Sequence, residues 1–280
     1  MILNCLILQN GVFMGKYKYA IIIPNYNNDH DGYLTRCIES VLKQTYDNFI
    51  LIIVDDMSTD TSVKTIKSYK DKRIKLIKNK RKRYNGGSRN VGIEYALSKK
   101  DIDYLCFLDS DDWWNGEDVL FNIDNKLNNH ELMTLGCIMY KGDGKYILPK
   151  NNKPNTYEDL WSFNGKVWCT AWSKVIRRDK IKYFNESTLM EDRVWNYRLM
   201  DDIDFNNITS LCRSVYVWNQ VNNNRVSQSK SDMWNNSTWN HIGNCKQFLC
   251  EIKHKEMLPI IEDRINRCIN DLMNGVYYQG

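Results

Sequence analysis

An apolar run that ends in three aspartates constrains this chain more than any other feature. Residues Tyr104–Trp114 read Tyr-Leu-Cys-Phe-Leu-Asp-Ser-Asp-Asp-Trp-Trp. Continuous apolar runs are typical of buried parallel strands, so the aspartates fall at the carboxyl edge of a sheet. There Asp109, Asp111 and Asp112 would repel one another unless a cation or hydrogen-bond donors compensate. Such oxygen ligands favour Mg²⁺ or Mn²⁺ bridged to a diphosphate. The alternative is that they only cap the next helix.

The composition indicates a globular protein and limits its partners only weakly. Of the 280 residues, 42% are hydrophobic and 26% are charged, which excludes a disordered tail. A net charge of +5 permits an acidic ligand or nucleic acid without requiring either. The nine cysteines include no Cys-x-x-Cys pair, which is typical of reduced thiols in a cytoplasmic protein. No stretch approaches the roughly 20 apolar residues of an integral membrane segment.

Strands and helices alternate four times in the first part of the chain. Apolar runs at 19–23 and 49–54 are each followed by a segment with helical spacing, and the second run also ends in carboxylates, Asp55 and Asp56. This alternation predicts an α/β fold with a parallel sheet wound with helices and ligands at the carboxyl ends of its strands. The predicted helices lie at 33–44, 61–69, 88–98, 119–127 and 191–200. Further on we predict a hairpin at 132–148, two strands near Phe205 and Val215, and a helical segment from 239 interrupted by Pro259.

Four segments in a fixed order resemble the inverting family 2 glycosyltransferases. They are Ile-Ile-Ile-Pro-Asn-Tyr-Asn at 21–27, Ile-Val-Asp-Asp-Met-Ser-Thr-Asp at 53–60, Gly-Ser-Arg-Asn-Val-Gly at 87–92, and Leu-Asp-Ser-Asp-Asp at 108–112. The resemblance covers about residues 18–200. It implies a GT-A fold, in which a Rossmann-like, mostly parallel sheet is wound with helices, here with a C-terminal helical extension. It also implies transfer of a sugar from a UDP-sugar, with Mn²⁺ or Mg²⁺ as cofactor.

The resemblance assigns nucleotide binding to residues at three of these segments. A carboxylate at a strand end can accept the imide proton of uracil, and we expect Asp56 to do so, with Asp55 as the alternative. A Gly-Gly turn that opens a helix lets the backbone approach a diphosphate, and an arginine there adds a fixed positive charge. The complete set of predicted nucleotide-binding residues is Pro24, Asn25, Tyr26, Asp55, Asp56, Gly87, Arg89 and Asp109.

Metal and base roles follow from the same resemblance. Asp111 is the expected metal ligand, Asp109 binds the ribose or the metal, and the role of Asp112 is left open. The pair Glu191 and Asp192 begins a predicted helix, and the second acid corresponds to the general base that takes the proton of the acceptor hydroxyl. The alternative is that both acids only complement the helix dipole.

The two tryptophans after the aspartates and the acid before the base are expected at the sugar. Trp113 and Trp114 are candidates to line the sugar or acceptor pocket, together with Glu191, although aromatic residues in such positions are also found in protein cores.

We divide the chain into an N-terminal extension at 1–17, predicted to be disordered or weakly packed, a catalytic domain at 18–220, and a loop and helical segment at 221–280. Within the catalytic domain, 18–112 is the nucleotide-binding half and 113–220 the acceptor half.

The acceptor is predicted less directly than the donor. A saccharide or lipid-linked saccharide is expected, with the protein in the cytoplasm or peripheral at a membrane. The basic run Lys80, Arg81, Lys82 and Arg83 is an alternative docking site for duplex DNA, which would make the protein a viral enzyme of the host cytoplasm that glycosylates a flipped, hydroxylated base. A solvated loop is the favoured interpretation of that run. An alternative of another class is a non-catalytic module that binds nucleotide sugars or nucleic acid.

Overall fold

A nine-stranded sheet forms the centre of the protein, and helices cover both of its faces. The computed structural model describes residues 8–9, 12–13, 15–80, 84–147, 170–222 and 232–274. Its strands are β1 (Leu8–Gln9), β2 (Val12–Phe13), β3 (Tyr19–Asn25), β4 (Phe49–Asp55), β5 (Ile74–Lys78), β6 (Tyr104–Phe107), β7 (Trp113–Trp114), β8 (Leu132–Tyr140), β9 (Tyr146–Ile147), β10 (Lys174–Arg177) and β11 (Ile208–Asn219). Its α-helices are α1 (Tyr33–Leu42), α2 (Ser62–Ser68), α3 (Asn85–Leu97), α4 (Val119–Leu127), α5 (Glu191–Met200), α6 (Asp232–Glu251) and α7 (Leu258–Met273).

The sheet has a parallel half and a mixed half. Its strand order is β5-β4-β3-β6-β10-β8-β11-β7, with β9 paired to β8, while β1 and β2 form a separate hairpin. Strands β5, β4, β3 and β6 are parallel, and β10 then runs antiparallel to both β6 and β8. The last long strand, β11, is parallel to β8. The predicted α/β class is therefore confirmed, and the regular alternation ends where the sequence indicated, after the aspartates.

Both faces of the central strand are buried, which explains its unbroken apolar sequence. In β3, Ile21 and Ile23 contribute to one hydrophobic core, which also contains the apolar side of α1. Ala20 and Ile22, which point to the other face, contribute to a second core with residues from α3, α5, α6 and α7. A strand covered on both sides has no polar alternation, because neither face meets water.

Helix α3 packs closely on β3 because one of its residues lacks a side chain. A Cβ atom at Gly92 would lie 2.4 Å from Cγ2 of Ile22, whose side chain is fully buried. We expect Gly92→Ala to lower the free energy of unfolding by roughly 1–2 kcal/mol, because overpacking outweighs the better helix propensity of alanine. Gly243→Ala in α6 is the matched control, since no atom lies within 4 Å of the added Cβ, and it should raise stability by about 0.5–1 kcal/mol. Urea unfolding of both variants measures this, and shifts of the same sign would contradict the packing argument.

Several predicted elements differ from the observed ones at their ends. Helix α3 begins at Asn85, so Gly86 and Gly87 lie in its first turn rather than before it. Of the two strands predicted near Phe205 and Val215, the second is observed as part of β11. The first is wrong, because Phe205–Asn207 form a short 3-10 turn that leads into β11. In the C-terminal segment, Pro259 occupies the first turn of α7, where its missing N–H costs no hydrogen bond.

Some of the predictions concern residues outside the described ranges. Arg81, Lys82 and Arg83 are among them, and Lys80, just before them, is exposed. Within the described ranges, none of the helices combines the length and the apolar character needed to span a bilayer.

Candidate active site

The carboxyl edge of the parallel half brings the first two predicted segments together. Strands β3 and β4 end side by side, with Asn25 opposite Asp55. The Asn25 side-chain amide donates to Asp55 Oδ1 at 3.3 Å, and the backbone N–H of Ser58 donates to Asp55 Oδ2 at 3.2 Å. Both oxygens of Asp55 therefore shape the loop that follows β4. Pro24 lies within β3, whereas Tyr26, just past the strand, is 44% exposed.

Asp56 is linked to the start of α3 through an asparagine that the sequence analysis missed. Asn79 Nδ2 donates to Asp56 Oδ1 at 2.8 Å and to Ser88 Oγ at 3.1 Å, and all three residues are buried. Gly87 is also buried in the first turn of α3. The signal for Asn79 was its place directly after β5, at the same edge of the sheet as Asp56. This arrangement connects the predicted uracil acid to the helix start that was expected to face a diphosphate.

Asp112 anchors the aspartate loop to β11. The Tyr216 hydroxyl donates to Asp112 Oδ2 at 2.5 Å, and the backbone N–H of Asn219 donates to Asp112 Oδ1 at 2.7 Å. The same hydroxyl accepts the backbone N–H of Asp109 at 3.2 Å. Asp112 is 2% exposed, and both of its oxygens have protein donors. We therefore correct its candidacy as a metal ligand: its position fits a structural role in the loop.

Two partly exposed carboxylates are left at this edge, Asp109 and Asp111. Asn222 Nδ2 donates to Asp111 Oδ2 at 2.9 Å and lies 3.4 Å from Asn28 Oδ1, so the residues that follow β11 help to orient the loop. In the described part of the chain, no group of three or more His, Cys, Asp or Glu side chains is arranged to hold a metal ion. Two carboxylates nevertheless fit a hard cation that takes its other ligands from a diphosphate and water, which is the usual arrangement for Mg²⁺.

A single buried guanidinium joins three carboxylates from two distant segments. Arg89, which is 1% exposed, donates through Nη1 to Glu191 Oε1 at 2.6 Å and to Asp192 Oδ1 at 3.2 Å. Its Nη2 donates to Asp109 Oδ1 at 2.7 Å. The guanidinium carbon also lies 5.4 Å from the centre of the Phe184 ring. The sequence predicted Arg89 as a ligand of the diphosphate, whereas the structure places it among acids of the protein itself.

The environment of the acids around Arg89 favours their uptake of a proton. Burial and the charge of Asp192 raise the pKa of Glu191 to about 8. Burial also raises the pKa of Asp192, an effect that Asp109 increases and Arg89 opposes. Burial by itself would lower the pKa of Arg89, but the three carboxylates outweigh it and raise that pKa. The Glu191 and Asp192 pair therefore binds a proton closer to neutral pH than ordinary carboxylates do.

The two acids at the start of α5 differ in their access to solvent. The side chain of Glu191 is 6% exposed, and that of Asp192 is 23% exposed. Asp192 is therefore accessible from solvent, while Glu191 is buried against Arg89. Lys174 lies nearby, fully buried, and its positive charge opposes the rise in the pKa of Asp192. Lys174 was missed because it lies inside a strand, 18 positions before Asp192.

The two predicted sugar-lining tryptophans have different environments. Trp114 is 2% exposed and belongs to the hydrophobic core, so we correct its assignment to the sugar pocket. Trp113 is partly exposed, and its ring centre lies 5.4 Å from that of Tyr140. The alternation of side chains along β7 explains the difference, since successive residues of a strand point to opposite sides.

Comparisons with known sequences agree with the order of these segments. The model of the family described as glycosyl transferase family 2 matches residues 20–184. WfgD of Escherichia coli, named a UDP-Glc:alpha-D-GlcNAc-diphosphoundecaprenol beta-1,3-glucosyltransferase, is 37% identical over 145 residues, which cover 49% of this chain and 53% of WfgD. The chain spans about half the length or less of several curated relatives that it matches.

Comparisons with solved structures show similarity over most of the chain. A Staphylococcus aureus TarS fragment in complex with UDP-GlcNAc gives a TM-score of 0.65 at 18% identity, covering 92% of this chain and 72% of that one. The mannosyltransferase PcManGT from Pyrobaculum calidifontis, in complex with GDP-Man and Mn²⁺, gives a TM-score of 0.59 at 14% identity, covering 91% and 71%. At these identities the likeness establishes the fold.

Proposed function

Since the chain belongs to glycosyl transferase family 2 and has the GT-A fold that its sequence motifs indicated, we propose that it moves a sugar from a UDP-sugar, with inversion, to a hydroxyl of a saccharide or lipid-linked saccharide. The observation that carries this proposal is the Arg89 cluster, in which one guanidinium contacts both Asp109 of the aspartate loop and Asp192. The buried guanidinium of Arg89 thus contacts both a carboxylate on the donor side and the candidate base. The family assignment replaces the alternative of a non-catalytic module.

For the donor, we propose that the uridine lies over the ends of β3 and β4. Asp56 is suited to accept the imide N–H of uracil, because it lies at a strand end and is held by Asn79. Pro24, Asn25 and Asp55 shape the adjoining loop, and the exposed ring of Tyr26 offers a surface to the base or the ribose. The first turn of α3 at Gly87 has backbone N–H groups and a helix dipole that suit the diphosphate. UDP-GlcNAc in the TarS complex and UDP-Glc in the name of WfgD support UDP as the nucleotide.

We propose that Asp111, assisted by Asp109, holds Mn²⁺ or Mg²⁺. When bound, such a cation would neutralise charge on the diphosphate leaving group. The chain itself contributes the two carboxylates and the donor Asn222, which orients Asp111. The Mn²⁺ in the PcManGT complex supports a divalent cation in this fold.

We propose Asp192 as the general base. In the transfer step, the acceptor hydroxyl donates its proton to Asp192 as its oxygen forms a bond to the anomeric carbon. The bond from that carbon to the diphosphate oxygen breaks at the same time, and attack from the opposite face inverts the configuration. A carboxylate whose pKa is raised by burial is a stronger base than an exposed one. Arg89 and Glu191 hold the acid in place and do not contact the reacting atoms in this mechanism.

The acceptor is proposed from chemistry and from relatives. The name of WfgD specifies a sugar linked to diphosphoundecaprenol, which supports a saccharide or a lipid-linked saccharide. With such an acceptor we expect the protein in the cytoplasm, at the membrane surface. Duplex DNA has less support, because the acceptor in the name of WfgD is a lipid-linked saccharide.

The donor and metal assignments predict slow hydrolysis of UDP-sugars without acceptor. We expect UDP release from a UDP-sugar with Mn²⁺, and Asp111→Asn should reduce the rate by about a hundredfold, since a ligand and a charge are lost together. Asp118→Asn is the matched control, because the Asp118 carboxylate accepts a hydrogen bond from Asn122 and lies outside the proposed site. Full activity of Asp111→Asn, or of the wild type in chelator, would contradict the metal assignment. No UDP release from any UDP-sugar would contradict the donor.

A further inference from the structure

A cavity lies beside the aspartate loop, on the side of α1. Its volume is about 630 Å³, within the range of sites that bind small molecules. The loop between β3 and α1 forms one wall, and the segments at the carboxyl ends of β8 and β11 form the other. Its lining residues include Tyr33, Arg36, Tyr140, Val221 and Asn222.

The cavity borders the proposed metal site through one shared residue. Asn222 lines the cavity and also donates to Asp111 Oδ2 at 2.9 Å. A molecule in the cavity would therefore lie next to the residues that we assign to the donor diphosphate. Residues of both halves form the cavity, since Arg36 belongs to α1, Tyr140 ends β8 and Asn222 follows β11. Among the described residues, those assigned above to the uridine do not line it, so its position suits a second substrate.

Arg36 places a guanidinium in the cavity. Its side chain is exposed, and the guanidinium carbon lies 4.6 Å from the centre of the Trp113 ring. Within the described chain, Arg36 forms no ion pair, and Asp31, which also lines the cavity, has a carboxylate oxygen 3.0 Å from Nδ1 of His30. A guanidinium stacked on an aromatic ring keeps its N–H groups available for a planar, two-point contact with a phosphate.

Tyr140 lines the cavity, and two further aromatic rings lie beside it. The centre of the Tyr140 ring lies 5.4 Å from that of Trp113 and 5.2 Å from that of Tyr146. Trp113 and Tyr140 are partly exposed, and Tyr146 is 51% exposed. Ligand sites of mixed character combine such faces with a few fixed polar groups. An anionic group at Arg36 and a ring-shaped, less polar group along Tyr140 would match this surface.

We propose that the cavity binds a phosphate-bearing part of the acceptor, in which a saccharide or polyol is joined through a phosphodiester or diphosphate. Arg36, stacked on Trp113, contacts the phosphate, and the ring of Tyr140 contacts the adjoining saccharide or polyol. This inference rests on the proposed function, because it assigns the cavity to the second substrate of sugar transfer. It adds to that function the place where the phosphate of the acceptor binds, and Arg36 as the residue that binds it.

The test is a calorimetric titration of defined probes into the full chain saturated with UDP and Mg²⁺. N-acetylglucosamine 1-phosphate should bind, and Arg36→Gln should weaken its Kd about tenfold, the effect of losing one charge-assisted contact. Unphosphorylated N-acetylglucosamine should bind more weakly and should be insensitive to Arg36→Gln. Arg267→Gln, a change at an exposed arginine of α7 that pairs with Asp263, is the matched control and should leave every Kd unchanged.

Two further probes distinguish the sources of the phosphate. Tighter binding of a short-chain alkyl diphospho-N-acetylglucosamine would indicate a lipid-linked acceptor, and tighter binding of ribitol 5-phosphate a polyol phosphate. Equal Kd values for wild type and Arg36→Gln, or no binding of any phosphorylated probe, would overturn the proposal. UDP binding is measured first and separately. Its absence would contradict the proposed donor, and titrations without UDP would still test the cavity.

Discussion

Asp192→Asn is expected to lower the rate of sugar transfer by about a thousandfold while leaving UDP binding unchanged. A general base contributes roughly 100-fold to 10,000-fold to a proton transfer, and asparagine has nearly the same shape as aspartate but cannot accept the proton. The measurement is UDP release in the presence of acceptor, together with the Kd for UDP by calorimetry. Transfer by the variant within tenfold of the wild-type rate would exclude Asp192 as the base.

Two comparisons make this experiment specific. Asp179→Asn removes an aspartate on the protein surface that pairs with Arg177, and it should transfer at the wild-type rate. The pH profile of the wild type should lose activity as the pH falls, because the base must be ionised. That loss should occur above the usual aspartate range near pH 4, since burial raises the pKa of Asp192. An acidic limb below pH 4 would contradict the buried environment of the base.

Arg89→Met is expected to cost about 3–5 kcal/mol of folding free energy at pH 8. The substitution removes the one guanidinium that contacts Asp109, Glu191 and Asp192, and a buried charge without its partner is strongly destabilising. The loss should be smaller at pH 5. The pKa of Glu191 in the folded protein is already raised to about 8, so these acids take up protons, and lose their repulsion, as the pH falls.

Urea unfolding at both pH values measures this prediction. Arg267→Met is the control, because Arg267 is exposed and pairs with the exposed Asp263, and such pairs contribute at most about 1 kcal/mol. Arg89→Lys should recover part of the stability but not the transfer rate, since one ammonium group cannot reproduce a fork with three partners. A loss of stability equal to that of Arg267→Met would show that the three acids have other compensation.

The order of the elements and the edge that carries the site were predictable from the sequence, because both depend on local patterns. The apolar run before Asp109 and the run before Asp55 each report burial of their own strand, and parallel strands align their carboxyl ends. The helices α4 and α5 begin and end at the predicted residues, because the boundaries of a helix also depend on local patterns.

The partners of each side chain were not predictable, because they come from distant parts of the sequence. The sequence does not distinguish Asp112 from Asp111. In the structure Asp112 is buried, and its hydrogen-bond donor Tyr216 lies 104 positions later in the chain. Arg89 next to a Gly-Gly turn suggests a phosphate ligand, and only the folded chain shows it against Glu191. The difference between Trp113 and Trp114 likewise depends on which side of β7 meets the core.

The Arg89 cluster also has a consequence for how the chain folds. Its contacts to Glu191 and Asp192 span 102 and 103 positions, so these two acids acquire their counterion only when α5 docks against α3. Contacts of such long range form late, because the intervening chain must first be ordered. During synthesis, residues 18–112 emerge from the ribosome well before the residues that complete the cluster. We therefore expect the proposed site to be completed late, and a nascent chain that ends before α5 to lack sugar transfer.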